Sequence, residues 1–170
     1  MSRDHGEGPV VVLLCGMVGA GKTTFATQLE REGYVRLSID EELWSRFGRY
    51  GLDYPTEVYD EYSHVAEHVL LDRLRSLVAQ GRDVVVDFGF WSRASRDRYK
   101  RVVEQAGARW RLVHLDVPRE VLLRRLAGRS SRFDANAAFP IDAEVLDGFL
   151  ARFEPPSGEG EEVLRVEDEG

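Results

Sequence analysis

Gly16-Met17-Val18-Gly19-Ala20-Gly21-Lys22-Thr23 fits the pattern G-x-x-x-x-G-K-[ST], and its reading decides the fold. The residues before it, Val10-Val11-Val12-Leu13-Leu14-Cys15, are apolar throughout, as in a parallel strand buried on both faces. The residues after it, Thr23 to Glu30, read as a helix with Phe25, Ala26 and Leu29 on its inner face. Strand, glycine loop and helix in that order are the context in which this motif holds phosphate. Gly16, Gly19 and Gly21 carry no Cβ, so the backbone can turn sharply and its N–H groups can converge on an anion. The helix starting near Lys22 adds its positive dipole end. Lys22 is expected to reach the β- and γ-phosphates of a nucleotide. The Thr23 hydroxyl is expected to ligate Mg2+, and Thr24 to touch the α-phosphate. The nucleotide-binding set is then Gly16, Val18, Gly19, Ala20, Gly21, Lys22, Thr23 and Thr24. A chance match in a chain of this size arises on the order of one per cent of the time, before the flanking strand and helix are required.

Working outward, 170 residues with 43% hydrophobic and 31% charged content fit one globular domain. The expected division is a flexible N-terminus at 1–9, one domain at 10–167 and an acidic tail at 168–170. Cys15 is the single cysteine, which rules out an internal disulfide and a cysteine-based zinc site. No apolar run is long enough to span a membrane, and Met1 to Pro9 has no signal-peptide character, so a cytoplasmic setting is expected. The net charge of −7 is uneven: Glu154 to Gly170 carries −6, whereas Arg93 to Arg132 carries +8. The chain as a whole is not a basic nucleic-acid binder, but its second half has cations for phosphates.

Further strands are expected at Tyr34–Asp40, Asp83–Gly89, Trp110–Val117 and Glu162–Val166. Helices are expected from Asp40, over Thr56–Gln80, from Ser92 to about Ala106, from Arg119 to Leu126 and after Asp142. Strands alternating with helices imply a parallel sheet covered on both faces, with ligands beyond its carboxyl ends. Gly16–Thr23, Asp40 and Asp87 should therefore share one crevice. Two acids facing a phosphate loop suggest phosphoryl transfer: one would hold Mg2+ through water, and the other would orient and deprotonate a hydroxyl. The plainer readings are that Asp40 is a helix N-cap and Asp87 a turn residue. Asp83 should lie at the wrong end of the sheet.

Arg124, Arg125, Arg129 and Arg132 fall at a helix end and in the loop after it, and Arg125 and Arg129 would share a helical face. A lid at about 127–141 carrying such arginines could close over ATP; a solvated basic face is the alternative. Trp44, Phe88, Phe90 and Trp91 could wall an acceptor site. Arg93 and Arg96 could bind an anionic acceptor, or simply lie on the surface. His64 and His68 are four apart on a helix, with no third ligand evident for a metal.

Several of these segments together resemble the small P-loop kinases of the AAA_33 type. That group is similar to the kinase domain of polynucleotide 5′-hydroxyl kinases, the zeta toxins and chloramphenicol phosphotransferase. The resemblance rests on Gly16–Thr24, Ile39-Asp40, Val84-Val85-Val86-Asp87 and Arg124-Arg125 with Arg129 and Arg132. Phe139-Pro140-Ile141-Asp142 and Phe149 to Pro156 extend it. It implies a three-layer α/β P-loop NTPase fold with a five-stranded parallel sheet of order 2-3-1-4-5 and an arginine-bearing lid. It also implies Asp40 as general base, Arg125 and Arg129 as lid arginines, and ATP with Mg2+. Polynucleotide kinases place an arginine three residues after the base, where this chain has Leu43, with Arg46 nearby. A small-molecule acceptor is therefore expected over nucleic acid.

The expectation is an ATP-dependent phosphotransferase acting on a small-molecule hydroxyl, as a monomer or homodimer. Catalysis would fall to Asp40, Lys22, Arg125 and Arg129, with Arg125 also binding the nucleotide, and Mg2+ binding to Thr23 and Asp87. The acceptor would meet Asp40, Trp44, Phe88, Trp91, Arg93 and Arg96. The alternatives are a nucleoside, nucleotide or polynucleotide kinase, and a non-catalytic ATP-binding switch.

Overall fold

In the computed structural model of the chain, which describes residues 8–48, 53–129 and 142–166, the apolar run becomes β1 (Val10–Gly16). Val11 to Cys15 are fully buried. β1 lies between β3 (Val84–Gly89) and β4 (Arg109–Asp116). β2 (Val35–Ser38) and β5 (Glu161–Arg165) form the edges. All pairings are parallel, in the order β2-β3-β1-β4-β5. This is the P-loop NTPase fold.

Alternation along β1 divides the core. Val11, Leu13 and Cys15 pack under α3 (Tyr59–Ala79) and α4 (Arg93–Gln105). Val12 and Leu14 pack under α1 (Lys22–Arg31), α5 (Arg119–Arg129) and α6 (Ala143–Arg152). Each fully buried leucine in these layers contributes about 1.5–3 kcal/mol. α2 (Ile39–Phe47) stands at the carboxyl end of β2 and is tied to α3 by Phe47 stacking on Tyr62, ring centres 3.8 Å apart.

Helices α2, α4 and α6 each start at a side chain that accepts from the backbone. Ser92 accepts from Ser95 N–H at 3.1 Å and Asp142 from Val145 N–H at 2.9 Å, each contributing about 1 kcal/mol. The second strand ends at Ser38, not Asp40. Ser38 caps α2 by accepting from Glu41 N–H at 3.3 Å, which leaves Asp40 uncommitted to capping and inside the first helical turn. At the amino edge of the sheet, Asp83 accepts from Val10 N–H at 2.9 Å.

α5 continues through Arg129, three residues past the expected end at Leu126, so Ala127 to Arg129 of the expected lid are helical. The rest of that segment, with Arg132, lies outside the described residues, as do 1–7 and 167–170 of the expected termini. α3 is buried only from Ala66 onward, at Leu70, Leu71, Leu74 and Val78; Val65, assigned to its apolar face, is 43% exposed. The first half of α3 leaves the core.

His114 on β4 is buried against the ring of Phe153, and burial holds its pKa below the ordinary 6.5. The neighbouring Arg96 acts in the same sense and Asp116 opposes it. The unfolded chain therefore takes up this proton first as pH falls. Unfolding free energy should decline from about pH 7 to about pH 5.5, and His114→Gln should flatten that slope in urea titrations at the two pH values.

Candidate active site

A cleft of about 1180 Å3 opens at the carboxyl edge of the sheet. The loop after β1 forms one wall, from Val18 to Thr24. Ile39 and Asp40 enter from α2, and Phe88 to Ser92 from the end of β3 and the turn after it.

The loop gets its shape from two different constraints. Gly19 and Gly21 have φ of 83° and 97°, in the left-handed region that favours glycine. Gly16 instead lacks space: a Cβ there would stand 3.1 Å from the carbonyl oxygen of Leu115. Lys22 Nζ donates to the carbonyls of Gly16 and Met17 at 3.1 and 3.3 Å, so its ammonium lies across the loop. Arg125 Nη1 donates to Gly19 O at 3.1 Å, bringing a second cation from α5. The first N–H groups of an α-helix have no acceptor within the helix, and α1 has neither a side-chain cap nor an acid in its first turn. Two cations, two left-handed glycines and an uncapped helix start make a cradle for a polyanion. The residues present fit nucleotide phosphates.

Asp40 is exposed and lines the cleft. Asp87 also lines it but is already compensated. Its Oδ2 accepts from Arg36 Nη2 at 2.8 Å and Nε at 3.2 Å, while Arg36 Nη1 donates to Glu41 at 2.8 Å. The side chains of Arg36 and Asp87 are 7% and 6% exposed. Asp87 Oδ1 takes part in neither bond. Asp87 is thus a buried, paired strand residue rather than a turn residue.

The expected acceptor residues separate. Phe88 and Trp91 line the cleft. Trp44 is half-buried on α2 and does not. Arg93 is exposed, its Nε 3.7 Å from Asp97, and also lies outside the lining. Arg96 is fully buried in an ion pair with Glu159 at 2.8 Å, so it has no reach to an acceptor. Sequence reasoning missed the first half of α3, which presents Tyr59, Asp60, Ser63 and Glu67 to the cleft. The signal was there: polar residues at 60, 63 and 67 recur at three and four on a helix otherwise assigned to the core. Ser63 Oγ is buried and makes no hydrogen bond. Arg152, also missed, lies over the rings of Phe149 and Trp91, 5.4 and 5.9 Å from their centres.

The fold and the loop define a P-loop nucleotide-binding protein. The AAA_33 model, an AAA domain, matches residues 11–156, and the chain belongs to that family. No curated protein is similar to it in sequence. Among solved structures, a gluconokinase from Sinorhizobium meliloti 1021 is 19% identical with a TM-score of 0.59, over 94% of this chain and 83% of that one. Chaetomium thermophilum Kti12 in complex with ADP-AlF3 is 13% identical with a TM-score of 0.66, over 94% and 89%. A chain of the Pnkp1/Rnl/Hen1 RNA repair complex is 20% identical with a TM-score of 0.64; the match covers 89% of this chain and 48% of that one, so this chain spans about half its length. At these identities the likeness is one of fold.

The buried Arg36–Asp87 pair should respond very differently from exposed pairs such as Arg111–Glu162, whose side chains are 45% and 48% exposed. Arg36→Met strands a buried carboxylate and should cost about 3–5 kcal/mol of unfolding free energy. Arg111→Met should cost less than about 1 kcal/mol. Urea denaturation of both variants makes the comparison.

Proposed function

We propose that this chain is an ATP-dependent phosphotransferase that moves the γ-phosphoryl of ATP to a hydroxyl of a small molecule. The observation that carries the reading is that Asp40, in the first turn of the helix that Ser38 caps, lines the same cleft as the phosphate loop. An ATP-binding loop alone needs no such acid.

In this reading the loop from Gly16 to Thr24 holds the phosphates through backbone N–H groups, with Lys22 on the β- and γ-phosphates. Thr23 and the free Oδ1 side of Asp87 would hold Mg2+, directly or through water. Bound Mg2+ neutralises phosphate charge and aligns the γ-phosphoryl. Asp40 orients the acceptor hydroxyl and takes its proton. The acceptor oxygen bonds to the γ-phosphorus as the bond to the β–γ bridging oxygen breaks, and ADP leaves. Arg125 stabilises the charge on the transferring group; the side chain of Arg129, one helical turn further on, lies outside the described residues. Phe88 and Trp91 supply an apolar wall, and the α3 residues supply polar contacts for the acceptor.

Two observations favour a small molecule over a nucleic-acid strand. Leu43, which stands where polynucleotide kinases have their phosphate-binding arginine, is buried at 4% exposure. Arg46, the nearest substitute, is held by Glu42 at 2.9 Å and lies outside the cleft lining.

A coupled ADP-release screen against sugars, polyols, nucleosides, amino alcohols and 5′-hydroxyl oligonucleotides tests the reading. Stimulation by a small hydroxyl compound is expected. Stimulation by oligonucleotides alone would move the acceptor class to nucleic acid, and tight ATP binding with no stimulation would favour a switch. Asp40→Asn should lower transfer by at least about a hundredfold while ATP affinity stays within a few-fold. Full transfer in that variant would remove Asp40 as the base.

A further inference from the structure

We infer that Arg96 and Glu159 form a buried clamp that fixes the backbone of the cleft wall from Phe88 to Ser92, which makes Arg96 a positioning residue. Its importance for acceptor binding rests on the reading of this cleft as an acceptor site; the placement of the wall does not.

The centre of the clamp is Phe90. Its φ is +49°, the left-handed region, and it is the one non-glycine residue with positive φ among the described residues. Side chains rarely adopt that conformation, and it persists only where surrounding contacts over-determine it. Here two buried donors converge on the Phe90 carbonyl: Arg96 Nη1 at 2.8 Å and the Cys15 thiol at 3.4 Å. The rest of the guanidinium is bidentate on Glu159, Nε to Oε1 at 2.8 Å and Nη2 to Oε2 at 3.0 Å. Arg96 therefore joins the end of β1, the turn after β3 and the segment before β5.

That segment braces the wall at further points. Glu154 N–H donates to Trp91 O at 2.8 Å, and Lys100 Nζ donates to Glu159 O at 2.6 Å. Glu159 Oε2 also accepts from Ser157 N–H at 3.2 Å. The turn itself is tight. A Cβ on Gly89, whose φ is +86°, would stand 3.3 Å from Trp91 Nε1 and 3.6 Å from Gly16 O, the carbonyl that also accepts from Lys22. The Phe90 ring is committed inward, 4.9 Å from Tyr99, while Trp91 is brought to the cleft.

A buried ion pair is no more stabilising than well-packed apolar residues, so fold stability alone does not account for it. What an apolar pair cannot do is hold a carboxylate and a strained carbonyl at once. That takes the planar, five-donor fork of arginine, which lysine does not reproduce.

The test labels the protein with 5-fluorotryptophan and follows 19F NMR. Trp44, Trp91 and Trp110 give three lines, assigned by single Trp→Phe variants. Trp110 packs against Gly160, so its line reports disturbance of the Glu159 segment. Trp44, on α2, is the reference. In Arg96→Lys with wild-type far-UV circular dichroism, the Trp110 and Trp91 lines should both shift or split while Trp44 stays fixed. The Kd for MgATPγS should stay within about threefold. An unshifted Trp91 line beside a shifted Trp110 line would overturn the proposal. If Arg96→Lys does not fold, Glu159→Gln, which keeps shape and removes charge, is read in the same way. An acceptor screen without a hit would sink the kinase reading and leave the Trp91 result intact; an unmoved Trp91 line would do the reverse.

Discussion

The absence of room at the end of β1 governs the rest of the structure. β1 is hydrogen-bonded to a strand on each side and covered by helices on each face. The chain can leave it only at its carboxyl end, past Leu115 O, which sits 3.1 Å from where a Cβ of residue 16 would be. A glycine there lets the backbone emerge and turn over the sheet edge, and the left-handed Gly19 and Gly21 complete the turn into α1. The phosphate cradle is thus the exit path of a fully buried strand. Because β3 runs parallel to β1 and β2 parallel to β3, Asp87 on β3 and Asp40 just past the end of β2 reach the same edge.

That edge gathers charge, and arginine is used to manage it. The magnitudes sort the pairs. Exposed pairs such as Arg119–Asp147 are screened by solvent and add little to stability. Among the described residues two pairs are buried, and removing one partner from either costs several times more. One holds Asp87 on the α1 face of the sheet; the other holds Glu159 below its ordinary carboxylate pKa, chiefly through its hydrogen bonds to Arg96. Both stand beside the cleft: one fixes an acid that lines it, the other the turn that forms one of its walls. The Cys15 thiol next to Arg96 is pushed up to about 11 by burial, so it serves as a packed donor rather than a nucleophile.

What could be read from the chain followed how local the cause is. The strand–loop–helix around Gly16 was legible because a few residues in sequence order carry the whole constraint. The parallel sheet was legible because helix and strand periods alternate. Ends that depend on one side chain were legible to within a residue or two: Ser92 and Asp142 cap as expected, and Ser38 takes the cap that Asp40 would have had. Arg96 misled because an arginine in the first turn of a helix after Asp87 reads as surface or ligand. Only Glu159, 63 residues away, turns it inward. The first half of α3 was missed for the same reason, since whether a polar helix face meets solvent or a cleft is decided by what α2 and the β3 turn leave open.

The two halves of the cleft are therefore specified by different means. The donor side is built from backbone: glycine φ values, a helix start and carbonyls that hold Lys22 and Arg125. Backbone geometry of this kind tolerates wide change elsewhere, which fits a fold shared at 13–20% identity with the Sinorhizobium gluconokinase, Kti12 and the RNA-repair chain. The facing wall is built from side chains on α3 and from one turn whose strained Phe90 is held by Arg96 and its distant partner Glu159. Small changes in either would reshape it without disturbing the phosphate cradle. A fold organised this way can keep its phosphate cradle while the facing wall varies, and under the phosphotransferase reading the side chains from Tyr59 to Glu67 and the turn at Phe90 would set the acceptor preference.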